Sequence, residues 1–336
     1  MKAIHLKQFG IENLQLADEK IPTPGPHQVL VRIEAVALNY LDIALISGTY
    51  KPSLTLPRIP ASDGAGTIER IGSEVTRWKK GDRVMVNFYQ QWIGGRRTLQ
   101  NAESQTSQAT PGLMVEYACV AEEALVRTPA NLTAEEACTL PIAGVTAWNG
   151  WFVHAGLKPG QTVVTQGTGG VSIFALQLAK IAGARVIATS GSDHKLDTLK
   201  KLGADEVINY KKYPKWHEEV LRLTQQEGAD ATLDIGGAES IDSSIRSLRM
   251  EGFVGLVGFL GGPVLPVDFF RSVVYTVRMK GISVGTREDF EDLARAVEVN
   301  GLRPVISQVF PMEKVQEAFR YMQGGSHVGK VVVRVD

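Results

Sequence analysis

The stretch VVTQGTGGVS, residues 163–172, sets the tightest limit on what this chain can fold into. A β-branched run meets three glycines and passes straight into SIFALQLAK, so a buried strand turns sharply into a helix. The missing side chains at Gly167, Gly169 and Gly170 let a pyrophosphate approach the helix N-terminus. Unpaired N–H groups and the helix dipole favour an anion there. Thr168 and Val171 complete the loop, and Ser172 stands where the G-x-G-x-x-G pattern has its third glycine. Such a turn alone also suits plain helix–strand packing. The surrounding strand–helix–strand unit of about thirty residues tips the reading toward a dinucleotide.

The second strand of that unit bears on which dinucleotide. An NAD-binding protein or a methyltransferase places an acid at its end to hold a ribose. Here RVIATS runs into TSGSDHK, so Ser190, Ser192 and Lys195 offer two hydroxyls and a cation. That set suits a 2′-phosphate and implies NADP(H). Asp193 comes too late to be the strand-end acid and reads as a helix N-terminal residue.

From residue 161 onward strands and helices alternate with short connections, which predicts a parallel sheet covered on both faces. KGISVG (280–285) reads as the edge strand of that sheet, and a helix is expected over 287–299. The first third differs. HQVLVRIEAVAL (27–38), GAGTIERIG (64–72) and GDRVMVNF (81–88) read as strands, with a short helix near 41–47. Residues 89–113 are polar and read as a loop lobe outside the core. NLTAEEACTLP (131–141) carries helix-start chemistry at Thr133, Glu135 and Glu136.

Lysine plus arginine and aspartate plus glutamate number 36 each, so no basic surface suggests nucleic acid or an anionic membrane. Residues 137–157 and 161–179 lack formal charges, but Pro141, Asn149 and the glycines make them buried segments rather than bilayer spans. Two cysteines, Cys119 and Cys138, and an N-terminus without an apolar run favour a reducing cytoplasm.

VRIEAVALNYLDIALISGTY, PASDGAGTIERIGSEVTRWKKGDRV, TLPIAGVTAWNG, the glycine loop, KLGADEVINY and the terminal GKVVVRV occur in one order along the whole chain. In this the chain resembles the medium-chain dehydrogenase/reductase superfamily, in particular its zinc-independent, quinone-oxidoreductase-like branch. The resemblance implies a Rossmann doubly wound parallel sheet plus a GroES-like, β-barrel-type catalytic domain. The catalytic domain is expected over 1–126 and completed by 300–336, with the dinucleotide-binding domain over 127–299. Zinc-dependent relatives carry ligands where this chain has Asn39, Ser62 and Ile142, so no metal is expected.

The resemblance also carries over Tyr210 beside the 2′-phosphate, and Thr146, Gly258, Phe259 and Lys330 toward the cofactor. Asn39 and Tyr50 are implied near the nicotinamide, with Tyr40 in reserve. Quinone reductases often have a tyrosine where Ala44 stands, which counts against a strict quinone substrate. Two roles are open for Asn39, since Asn39-x-x-Asp42 also has the shape of a helix cap. Asp63 reads most simply as the partner of a basic residue. Trp92, Trp148 and Trp151 could be core or could line an apolar pocket.

Three functions are compatible with these residues. The favoured one is NADPH-dependent, metal-free hydride transfer to a small electrophile: an enone, an alkenal or a quinone. The second is a zinc-free alcohol dehydrogenase or carbonyl reductase. The third is a non-catalytic NADPH-binding sensor or structural protein. A homodimer formed through the Rossmann edge strand is expected, because an unpaired edge is normally covered.

Overall fold

The computed structural model describes residues 1–259, 261–262 and 264–335. By their internal contacts they form two units, Met1–Val145 with Val284–Asp336, and Thr146–Ser283.

In the first unit β1 (Lys2–Leu6) and β2 (Leu14–Asp18) form an antiparallel pair. A larger sheet contains β3 (Gln28–Leu38), β4 (Asp63–Ile71), β5 (Arg83–Val86), β6 (Tyr117–Ala121) and β7 (Leu125–Arg127). β3 is its spine. Val29, Leu30, Val31, Ile33 and Ala35–Leu38 are all buried, so both faces of β3 are covered. Its first half pairs with β6 along one edge, while β4 runs antiparallel along the other.

Residues 89–113 do form a polar lobe, yet part of it lies inside. Ser104, Thr106, Ser107 and Gln108 are buried. Hydrogen bonds make this tolerable. Gln90 Nε2 donates to Thr106 and Thr110 at 3.1 and 3.0 Å, and Arg58 donates to the carbonyls of Ser107 and Thr110. Composition hid this burial, because the partners lie far apart in sequence.

Thr133 caps the turn Ala134–Ala137 through a reciprocal pair of bonds with Glu136. Helical turns then continue from Leu140 to Ala155, with π-type stretches at Leu140–Gly144 and Asn149–Ala155. Among the described residues no helix is long and apolar enough to cross a membrane.

The second unit is one six-stranded parallel sheet: β8 (Thr162–Gln166), β9 (Arg185–Ser190), β10 (Glu206–Asn209), β11 (Ala229–Asp234), β12 (Leu248–Leu256) and β13 (Arg278–Gly281). Every neighbouring pair is parallel, in the order β10-β9-β8-β11-β12-β13. Counted from β8 as the first strand, this is the 3-2-1-4-5-6 order of dinucleotide-binding sheets. The order reverses between β8 and β11, and ligands bind beyond the strand ends at such a reversal. The edge strand begins and ends earlier than expected, at residues 278–281, and Ile282 and Val284 beyond it turn inward. Trp151, one of the undecided tryptophans, is core: it is fully buried and donates to the Ala175 carbonyl at 2.9 Å.

The chain then returns to the first unit. Phe290, Leu293 and Val297 bury one face of the helix Arg287–Val299, which packs on β7. By their contacts residues 287–299 group with the first unit. β14 (Ile306–Pro311) pairs parallel with β15 (Lys330–Arg334), and β15 pairs antiparallel with the second half of β3. One apolar cluster, including Ile4, Leu38, Ile68, Phe319 and Val333, joins both ends of the chain. Each such side chain contributes about 1.5–3 kcal/mol by burial.

Candidate active site

At the end of β8, Gly167 sits at φ +76°, a conformation that strains any residue with a side chain. A Cβ added to Gly169 would meet no atom within 4 Å, so the space before the helix Gly170–Ile181 is open. Ser172 Oγ donates to the Gln166 carbonyl at 2.6 Å. In the third glycine's place, serine therefore ties the strand end to the first helical turn. Thr168 is buried, while Gly170 and Val171 are half-buried.

Beneath this loop lies a polar floor that the sequence did not reveal. Buried Asp234 accepts from the Gly237 N–H at 2.7 Å, from Ser240 Oγ at 2.8 Å and from Ser244 Oγ at 2.6 Å. Gln166 Nε2 in turn donates to Ser244 Oγ at 2.6 Å, which couples the ends of β8 and β11 across the reversal. The signal available was DIGG, an acid closing a strand just before two glycines. Gly258 follows β12, and a Cβ there would fall 1.7 Å from the Ile235 carbonyl oxygen. Phe259 beside it is partly exposed, and Thr146 is buried.

At the end of β9, Ser190, Ser192 and Tyr210 lie close to one another. Ser190 is buried and its hydroxyl accepts from the Ser192 N–H at 3.4 Å. The Tyr210 N–H donates to the Ser190 carbonyl at 3.2 Å. A Cβ on Gly191 would lie 2.7 Å from the Tyr210 hydroxyl, so the tyrosine lies across this glycine. Lys195 sits in the first turn of the helix Asp193–Lys201, where burial draws its pKa down. Asp193 is bound by Asn209 Nδ2 at 2.7 Å and by Lys212 Nζ at 2.8 Å. Open space at the glycines, together with hydroxyls and a lysine at the β9 end, fits a nicotinamide dinucleotide.

The first unit holds a buried polar centre. Asn39 closes β3, and its N–H donates to Asp42 Oδ2 at 2.8 Å at the start of the helix Tyr40–Ile46. Asn39 Nδ2 donates to Asp63 Oδ2 at 2.8 Å. Its Oδ1 accepts from Lys330 Nζ at 2.6 Å. Lys330 also donates to the Leu38 carbonyl at 2.7 Å and lies 3.8 Å from Asp63. Ser62 Oγ donates to Asp42 Oδ1 at 3.1 Å, and the Ile142 N–H reaches Asp63 at 3.4 Å.

These contacts engage Asn39 and Lys330 within the unit. Both ends of the Asn39 carboxamide are engaged inside the unit, so Asn39 is a brace as well as a helix cap. Lys330 directs its ammonium to Leu38, Asn39 and Asp63. Asp63 pairs with a basic residue, as its simplest reading required. Tyr40 and Tyr50 are partly exposed.

Burial pushes the Asp63 carboxyl up to about 7, against the lowering pull of Lys330 and Asn39; neighbouring Asp42 adds to the rise. Burial also raises Asp42 and the Cys138 thiol and lowers Lys330. The residues do not fit a metal ion. Asn39 Oδ1 already faces an ammonium, Ser62 is bonded to Asp42, and Ile142 has no donor side chain. No group of three His, Cys, Asp or Glu among the described residues is placed to hold one.

Residues 25–130 match the alcohol dehydrogenase GroES-like domain, and residues 170–298 match the zinc-binding dehydrogenase domain. A zinc-type alcohol dehydrogenase-like protein of Schizosaccharomyces pombe is 38% identical over 99% of this chain and 98% of its own. The chain belongs to the medium-chain dehydrogenase/reductase superfamily. Within this superfamily, a quinone oxidoreductase of Homo sapiens is 28% identical over 99% of this chain and 97% of its own. The solved structure of an NAD-dependent alcohol dehydrogenase has 34% identity, full coverage of both chains and a TM-score of 0.91. Medium-chain dehydrogenase/reductases are nicotinamide-dependent oxidoreductases, and this chain is one of them. The zinc in the matched domain's description finds no ligand set at Asn39, Ser62 and Ile142.

Proposed function

We propose that the protein is an NADPH-dependent reductase that transfers hydride to an activated C=C or C=O substrate without a metal. The glycine loop and the helix Gly170–Ile181 would hold the pyrophosphate. Ser190, Ser192, Lys195 and Tyr210 would hold the 2′-phosphate. The observation that supports the cofactor reading is the placement of Ser190, Ser192 and Tyr210 at the end of β9, where an acid would select NAD, with Lys195 in the first turn of the next helix. The NAD-dependent solved relative sets the opposite expectation.

When bound, the cofactor supplies the hydride. The protein must then stabilise negative charge that develops on the substrate's oxygen. With no metal to do so, hydrogen-bond donors carry that task. Tyr50 is the donor favoured here, with Tyr40 in reserve, since the Asn39 carboxamide is engaged by Lys330 and Asp63. A conjugated carbonyl spreads the charge and needs less help than an isolated one, which favours enones, alkenals and quinones. The quinone oxidoreductase relative supports that class. NADPH oxidation across a panel of quinones, enones, alkenals and saturated aldehydes tests the reading. Failure to turn over any of them would favour an NADPH-binding sensor or structural protein.

The reading includes a homodimer formed through the β13 edge. Beside that edge the helix Phe269–Val274 exposes Phe269, Phe270, Val273 and Val274, each more than half accessible. An apolar patch next to an unpaired strand edge calls for a cover, and a second copy provides one by two-fold symmetry. Light scattering at micromolar concentration checks it, and a monomer there would rule it out.

A further inference from the structure

Asp193 is the one carboxylate between the end of β9 and Lys195. In a dinucleotide-binding sheet, an acid at the strand end binds ribose hydroxyls and disfavours a 2′-phosphate; Asp193 lies three residues beyond that end. Here both of its oxygens are taken by residues at and beyond the end of β10. Asn209 Nδ2 donates to Oδ1 at 2.7 Å, and Lys212 Nζ lies 2.8 Å from Oδ2. Asn209 is itself fixed, being buried and accepting the Lys211 N–H on Oδ1 at 3.0 Å. An exposed ion pair alone holds a side chain weakly. The anchored amide gives this one a defined geometry.

We propose that Asn209 and Lys212 are specificity-determining positioning residues, which hold and neutralise Asp193 so that a 2′-phosphate meets no free anion. This rests on the NADP(H) reading given above. Lys212 and Asn209 together keep the Asp193 carboxyl below its usual range, so it is anionic whenever a cofactor binds. Releasing Asp193 would leave a free anion three residues beyond the end of β9, on the turn that leads to Lys195.

The test is a double-mutant cycle read by binding rather than turnover. Dissociation constants for NADPH and NADH are measured by cofactor fluorescence for the unaltered protein, Lys212→Ala, Asp193→Asn and the double variant. Lys212 is exposed, so its loss leaves the fold intact. Lys212→Ala should weaken NADPH about three- to tenfold and leave NADH within about twofold. In the Asp193→Asn background the same change should cost NADPH less than about twofold. Asn209→Ser, which frees Asp193 from the other side, should weaken NADPH in the same direction. Equal loss in both backgrounds would show that Lys212 meets the phosphate itself and would overturn the masking role. No loss in either background would also overturn it, while leaving NADPH preference standing. Tighter binding of NADH than of NADPH by the unaltered protein would instead remove the cofactor reading on which the proposal rests.

Discussion

Lys330 Nζ lies 2.6 Å from Asn39 Oδ1, and through that bond the last strand of the chain is joined to the end of β3. Nearby, Asp42 and Asp63 are buried with this single ammonium for compensation. Breaking a buried pair by removing one partner costs about 3–5 kcal/mol, because the other charge is left uncompensated. Lys330→Met should therefore lower unfolding stability by roughly that amount in a urea titration. NADPH affinity of the folded variant should stay within about twofold of the unaltered protein. A stable variant with weakened NADPH binding would return Lys330 to the cofactor.

The same centre makes stability depend on pH. The Asp63 carboxyl titrates near 7 when folded but near its ordinary 3.8 when unfolded. Between those values the folded state binds more protons than the unfolded one, so stability falls as pH rises from about 4 to 7. The slope from this group is at most about 1.4 kcal/mol per pH unit. Asp42, also raised, contributes with the same sign, while Lys330 and Cys138 are the other titratable groups coupled to Asp63. Asp63→Asn should reduce this slope in unfolding curves taken at pH 4.5, 5.5 and 6.5. An unchanged slope would place the titration elsewhere.

Lys195→Ala should weaken NADPH about ten- to a hundredfold, since a charge-assisted bond is worth roughly 1.5–3 kcal/mol. NADH binding should hardly change. Equal losses for both cofactors, by isothermal titration, would end the 2′-phosphate role.

Tyr50→Phe should lower kcat about ten- to a hundredfold with little effect on NADPH binding. Its bond to the substrate oxygen would strengthen mainly in the transition state. A fully active variant would pass that role to Tyr40.

Local pattern and side-chain destination were not equally legible. The turn after β8 could be read because Gly167, Gly169 and Gly170 follow a β-branched run directly. β3 and β4 could be read from their apolar content, and the parallel sheet from alternating strands and helices. The brace around Asn39 could not. It joins positions 291 residues apart, and only the pairing of β15 with β3 brings Lys330 beside it. The Asp234 network is local, with partners three, six and ten residues on, but a strand-end acid before two glycines does not by itself say which hydroxyls it binds. Buried polar side chains in 104–108 were masked by a composition that otherwise reads as surface.

The most direct measurement of the central claim compares kcat/KM, with NADPH, for an alkenal and for the saturated aldehyde of the same chain length. Chelator-treated protein is used, so that no adventitious metal supplies the polarisation. Delocalised charge in the alkenal should raise its kcat/KM about tenfold or more over the saturated partner, equivalent to roughly 1.4 kcal/mol in the barrier. Faster turnover of the saturated aldehyde would contradict the account and make the protein a metal-free carbonyl reductase.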